Sequence, residues 1–126
     1  MLFLSGLIVG IIVFQSSILA PILFQTLELE EAGKLLRAVF PKFFILLTLI
    51  GIASFITLLT NEMEPSFLHY TIVTVSIVFP IICKMIIPAT NKARDDGDDK
   101  KFQKLHKISV ILTVVVLFAN IGIVFL

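Results

Sequence analysis

The chain has 126 residues, enough for one domain, with 58% hydrophobic and 15% charged residues and a formal net charge of +1. Soluble domains run about 45–50% apolar and about 25% charged. That composition argues against a water-soluble globule, and the near-zero charge gives no bulk attraction to nucleic acid. Cys83 is the single cysteine, so no internal disulfide can form.

Four apolar stretches follow in chain order, at about 1–24, 43–59, 66–87 and 108–126. Roughly 20 apolar residues at 1.5 Å rise match a hydrocarbon core of about 30 Å. Backbone groups in lipid must bond within their own segment, so each stretch is expected to be a helix. The alternating segments of about 10 residues that mark an outer-membrane barrel are absent. The expected fold is all-α: an integral-membrane four-helix bundle in one domain.

Helix 1 carries Gly6 and Gly10 as a GxxxG, which favours close helix packing within the bundle or between protomers. Further along it lie Gln15, Ser16 and Ser17, then Pro21. The stretch lacks a basic n-region and exceeds the usual apolar core of a signal peptide, and Ala20-Pro21-Ile22 is a poor cleavage site. It is expected to stay in the membrane.

Over 27–40, Leu29, Ala32, Leu35, Leu36, Val39 and Phe40 recur at helical spacing, with Glu28, Glu30, Glu31, Lys34 and Arg37 on the other face. This predicts a short amphipathic helix, N-capped by Thr26 and ended or kinked by Pro41. Its plainer role is an interfacial anchor, and its functional role would be partner docking or gating. Helix 2 follows, then a loop from Thr60 to Pro65 holding Glu62 and Glu64.

Helix 3 contains Thr71, Thr74 and Ser76, with Pro80 and Pro88 and, near its end, Cys83, Lys84 and Met85. Lys84 is placed to snorkel to the headgroups. The segment from Pro88 to His106 is charged, and Gly97 within its acidic run signals a turn. An EF-hand would need acids at positions 1, 3 and 5 before its glycine, and Lys92 stands at position 1. A solvated turn is expected, with Lys100, Lys101, Lys104 and Lys107 able to touch anionic headgroups. Helix 4 carries Asn120.

All ten Lys and Arg lie in or beside the loops after helices 1 and 3, and none lies in the middle loop. Basic loops stay cytoplasmic, so the expected topology is an inner-membrane protein with loops 1 and 3 inside and both termini outside. A shift of 65 residues lays Ile12-Val13-Phe14 on Ile77-Val78-Phe79, Glu30-Glu31 on Asp95-Asp96, Lys42 on Lys107 and Thr48 on Thr113. Such a match is consistent with two parallel two-helix repeats.

Intramembrane polar residues are the usual functional pointers. Here Gln15, Ser16, Thr74, Ser76 and Asn120, with Lys84, either bond helix to helix or line a narrow polar path. Cys83, Met85 and His106 are soft ligands near one interface, yet they lack the repeated spacing of a metal site. No metal or cofactor is expected. No phosphate loop, nucleophile elbow or paired intramembrane carboxylates occur, so no enzyme is expected.

Pro21 and Phe24, Ala32-Gly33, Phe40-Pro41-Lys42-Phe43-Phe44, and Arg94 followed by Phe102, Leu105, His106 and Ser109 resemble a small bacterial membrane family. That family is similar to eukaryotic transmembrane-protein-205 proteins, and the resemblance covers almost the whole chain. Thr113 departs from it, standing where the family has Asn. The resemblance implies a four-helix membrane domain with no established bacterial activity. Its eukaryotic relatives are associated with platinum-drug resistance and trafficking. Four-helix copper-resistance and haem-biosynthesis proteins are alternatives, but their intramembrane His pattern is missing here. The expected role is assembly, as a homo-oligomer or with another membrane protein, among membrane lipids and without nucleic acid. The alternative is a transporter or channel-like binder of a small solute or metal ion.

Overall fold

Apolar runs this long leave the backbone one way to satisfy its polar groups in lipid, and the chain takes it four times. A computed structural model describes residues 1–62 and 64–126; Met63, in the expected Thr60–Pro65 loop, lies outside the described residues. The elements are α1 (Leu2–Thr26), α2 (Leu29–Thr60), α3 (Phe67–Asp95) and α4 (Asp99–Gly122), with a 3₁₀ turn over Ile123–Phe125. All four are long and apolar enough to cross a membrane. No strand occurs among the described residues.

Helix α1 is not uniform. Pro21 has no N–H to give the Ser17 carbonyl, and its ring crowds the preceding turn. The segment just before it, Gln15–Leu19, widens into a π turn in which the Ala20 amide donates five residues back to Gln15. Such bulges relieve a blocked ladder without ending the helix.

Helix α2 departs from expectation. The amphipathic segment and the second apolar stretch form one helix of 32 residues, with Pro41 inside it. Proline frees a single carbonyl, that of Arg37, and it does so where the charged part meets the apolar part. There, headgroups and water reach the freed group. Glu28 takes the N-cap position, and Thr26 instead closes α1, so the connection is only Leu27–Glu28. Glu30 and Glu31 sit in the first turn, where the helix dipole favours acids.

Helix α3 starts at a capping box in which His69 does the work usually done by Glu. The Ser66 amide donates to His69 Nδ1 at 3.2 Å, and the Ser66 hydroxyl lies 2.8 Å from the same nitrogen. The helix runs through Pro80 and Pro88 to Asp95, past the expected end near 87. Most of the expected loop is therefore helical. The turn itself is where Gly97 signals it, with φ at 72°, and Asp98 caps α4 by accepting from the Lys101 amide at 3.1 Å.

Successive helices run antiparallel, with α3 packed most extensively against both α2 and α4, around a cluster of Ile8, Ile12, Phe43, Phe44, Leu47, Cys83 and Val116. Phe40 stacks on Phe44 at 6.0 Å, and Phe43 meets Phe44 edge-on at 5.1 Å. The shift of 65 pairs buried Ile8 with Val73 and buried Leu58 with Ile123, but it carries Leu27–Glu28 into α3 instead of onto the Gly97 turn. The basic residues gather at one end of the bundle and Glu62 and Glu64 at the other.

Of the glycines, Gly51 of α2 is the one pressed against a neighbouring helix. A Cβ there would lie 2.8 Å from the Ser76 carbonyl oxygen and 3.0 Å from Ile77 Cγ1. Gly6 and Gly10, expected to pack, have nothing within 4 Å and face outward. Within the described residues the close approach to a neighbouring helix is at Gly51 and not at the GxxxG, whose other reading is packing between protomers. Replacing Gly51 with Val is expected to cost about 1–3 kcal/mol, the usual range for overpacking. Gly33→Ala, at an open helical site, is expected to be neutral or to gain up to about 1 kcal/mol. Thermal unfolding of both variants in one detergent checks the contrast.

Candidate functional site

In a bilayer interior the first question for any side-chain polar group is where its hydrogen bond goes. Most hydroxyls answer locally. Thr48, Ser54, Thr57, Thr71, Thr90 and Thr113 each donate to the carbonyl four residues back, at 2.8–3.0 Å. Asn120 has a second donor to place. Its Nδ2 donates to Val116 O at 2.9 Å and to Ser76 Oγ at 2.8 Å, and the Ser76 hydroxyl passes its proton on to Ile72 O at 2.8 Å. Both residues are buried, so α3 and α4 are joined by a closed polar bridge.

Of the six residues named from the sequence, the structure brings only Ser76 and Asn120 together across helices. Gln15 is buried on α1 and accepts from the Ser16 hydroxyl at 3.2 Å. Ser16, Thr74 and Lys84 face outward. Among the described residues these side chains do not line up as one continuous polar path. Each helix does contribute one buried polar residue just beyond the apolar cluster, toward the acidic end: Ser5, Ser54, Ser76 and Asn120. Ser5 Oγ is the one buried side-chain oxygen or nitrogen left without a partner among the described residues.

The three soft residues diverge. Cys83 is buried, with Sγ 3.7 Å from the Ser109 carbonyl oxygen, while Met85 is 72% exposed on the opposite side of α3. His106 is exposed and lies parallel to the Phe102 ring at 5.8 Å. No group of three or more His, Cys, Asp or Glu residues able to hold a metal occurs among the described residues.

The family-like positions fare better. The Arg94 guanidinium sits 5.3 Å from the Phe102 ring centroid, and Phe102 stacks in turn on His106, so these residues form a ladder on the α3–α4 hairpin. Ser109 accepts from both Cys83 and Thr113. Leu105 is half-buried beside them. Pro21 is exposed on α1, and Phe40 and Pro41 lie within α2.

Sequence reasoning missed the clamp at the basic end. Arg37 Nη1 donates to Asp95 Oδ2 at 3.2 Å, Nη2 donates to Asp95 Oδ1, and Nη2 also reaches the Asn91 carbonyl at 3.5 Å. The partners are 58 residues apart, and no local spacing announces them. Beside the clamp lies a groove of about 410 Å³, lined by Leu29, Gly33, Lys34, Arg37, Arg94 and Asp95 among others. Lys34 is engaged with Glu30 at 3.8 Å and Glu31 at 3.6 Å. A smaller hollow of about 150 Å³ at the other end is bordered by Asn61, Glu64 and His69.

A family model described as a domain of unknown function, DUF4149, matches residues 3–99, more than half of the chain. No curated protein and no solved structure matches.

Two outcomes follow from this geometry. Asn120→Leu and Ser76→Ala are each expected to cost about 0.6–2 kcal/mol, the range for a hydrogen bond between membrane helices. In a double-mutant cycle by reversible unfolding in mixed micelles, the combined loss falls short of the sum. Arg37→Gln is expected to speed amide exchange over the first turns of α2 and the last turn of α3, and high salt to do the same to the unaltered protein.

Proposed function

The chain belongs to this DUF4149 family of unknown function, and on that footing we propose that it is a non-catalytic membrane component working by assembly. It acts as a homo-oligomer or as an accessory subunit of another membrane protein. The observation that carries this is the outward face of α1: Gly6 and Gly10 present bare backbone with nothing within 4 Å of a Cβ position. Between lipid and helix there is little hydrophobic force to exploit. Close backbone approach at small residues is what drives helix association in membranes. Ser17 falls a heptad beyond Gly10 and is also exposed, so it can hydrogen-bond to an arriving helix.

Two further facts support the proposal. Only 17–33% of each apolar window is buried, which leaves broad faces for other helices. The inner polar residues Ser76 and Asn120 bond to each other and not along a passage, which favours assembly over transport. We also propose an inner-membrane location with the basic end in the cytoplasm and both termini outside, on the distribution of Lys and Arg. Kinship with transmembrane-protein-205 proteins belongs to the same proposal and rests on the Arg94, Phe102, Leu105, His106 and Ser109 pattern.

Native mass spectrometry from mild detergent tests the assembly. The unaltered protein is expected as a multimer or with a co-purifying partner. The Gly6→Leu/Gly10→Leu variant is expected as a monomer with an unchanged melting temperature, since both positions face outward. A strictly monomeric unaltered protein without a partner overturns the proposal. For orientation, a cysteine placed at Glu64 in a Cys83→Ser background is expected to react with an impermeant maleimide added outside the cell.

A further inference from the structure

We propose that the groove at the basic end, between α2 and α3, binds the phosphate of an anionic phospholipid, with Arg94 as its main ligand. Two arguments meet there: depth and unspent hydrogen-bonding capacity.

Depth comes first. Helices of 32 and 29 residues are about 48 and 44 Å long at 1.5 Å per residue, well over a hydrocarbon core of about 30 Å. The apolar parts of α2 and α3 stop near Lys42 and Ile87. Arg37 and Arg94 lie one to two turns further on, about 8–10 Å along the axis. That is the headgroup layer, which adds several ångströms to each side of the core.

Unspent donors come second. The groove is bordered by three cations, Lys34, Arg37 and Arg94, and by the carboxylates Glu30 and Asp95. Arg37 gives both arms to Asp95, and Lys34 faces Glu30 and Glu31. Arg94 has no carboxylate within 4 Å among the described residues. Its partner is the face of Phe102, which fixes the guanidinium plane but uses none of its in-plane N–H donors. Stacking from His106 steadies that ring. A planar, oriented guanidinium with free donors matches two phosphate oxygens at once.

Depth also decides between a lipid and a free anion. Leu29 and Gly33 line the groove on the aqueous side of Arg37, and the missing side chain of Gly33 leaves open space for a headgroup. Inorganic phosphate gains nothing from the hydrocarbon below that level. An amphiphile does, because its acyl chains enter the core while its phosphate stays at the depth of Arg94.

The test uses the full chain in mild detergent with equimolar phosphatidylglycerol and phosphatidylcholine, reading retained lipid by native mass spectrometry. The unaltered protein is expected to keep phosphatidylglycerol over phosphatidylcholine by about tenfold, as a charge-assisted hydrogen bond implies. Arg94→Gln is expected to abolish that preference while melting with the unaltered protein, and Arg94→Lys to restore part of it. Lys104→Gln, away from the groove, is expected to leave it intact. Millimolar inorganic phosphate is expected not to displace the lipid. Equal preference in Arg94→Gln and the unaltered protein overturns the proposal. So does equal loss in Lys104→Gln, which would reduce it to bulk charge, and so does displacement by inorganic phosphate.

Discussion

The contact of Gly51 with the Ser76 carbonyl sets the frame for everything else. Lipid tails are as apolar as leucine, so burying leucine between helices gains little, and register must come from shape. At Gly51 the backbones of α2 and α3 approach so closely that any side chain there would strike backbone. Fixing that point fixes both ends of the pair. Toward the basic end it brings Arg37 opposite Asp95 and Asn91. On α3 itself it turns Ser76 inward, where Asn120 of α4 finds the hydroxyl. One small residue thus aligns a surface ion pair and an interior hydrogen bond that share no neighbours.

The interior is arranged to need nothing from outside. Hydroxyls bond back along their own helices, and the Asn120 amide nitrogen donates to Ser76 and Val116. The cluster of Ile8, Leu47, Phe44 and Val116 then separates that polar layer from the charged end. Ser5 is the exception, a buried hydroxyl without a partner. A group left so is normally met by an ordered water or costs free energy. A single orphan beside a closed bridge is too little to make a conduit.

Much of the fold was legible in the sequence because lipid imposes a simple length rule. Four apolar runs announced four helices, and Gly97 announced the turn between α3 and α4. What charge obscured was helix beyond the membrane. Lys92, Arg94 and Asp95 read as loop because they cannot lie in hydrocarbon, yet nothing prevents them from continuing a helix in water. Pro41 read as an end or a kink because the cost of one lost bond is not visible against the gain of a helix on both sides. The choice of glycine was illegible for a different reason. A helix that is apolar all round has no polar face to mark its rotation. Gly6 and Gly10 therefore carried the motif while Gly51 carried the contact. Arg94, Phe102 and His106 could be picked from a family likeness, but their stacking and the Arg37–Asp95 pair are contacts between elements that no short spacing encodes.

Helix α1 is out of step with its neighbours, and that bears on what the molecule does. Ile12 shares the core cluster with Phe43 and Phe44, and only Leu27–Glu28 separates Thr26 from Leu29. The second half of α1 therefore lies at the depth where α2 carries Lys34, Arg37 and Lys42. Yet α1 exposes Ile18, Ile22 and Phe24 there. The π turn and Pro21, the two features that most often bend a helix, sit where this mismatch begins. Tilting, kinking or local thickening of the bilayer are the ordinary ways a membrane helix relieves excess apolar length. In the proposed assembly, a second protein helix against the exposed side of α1 would also cover this apolar surface at headgroup depth.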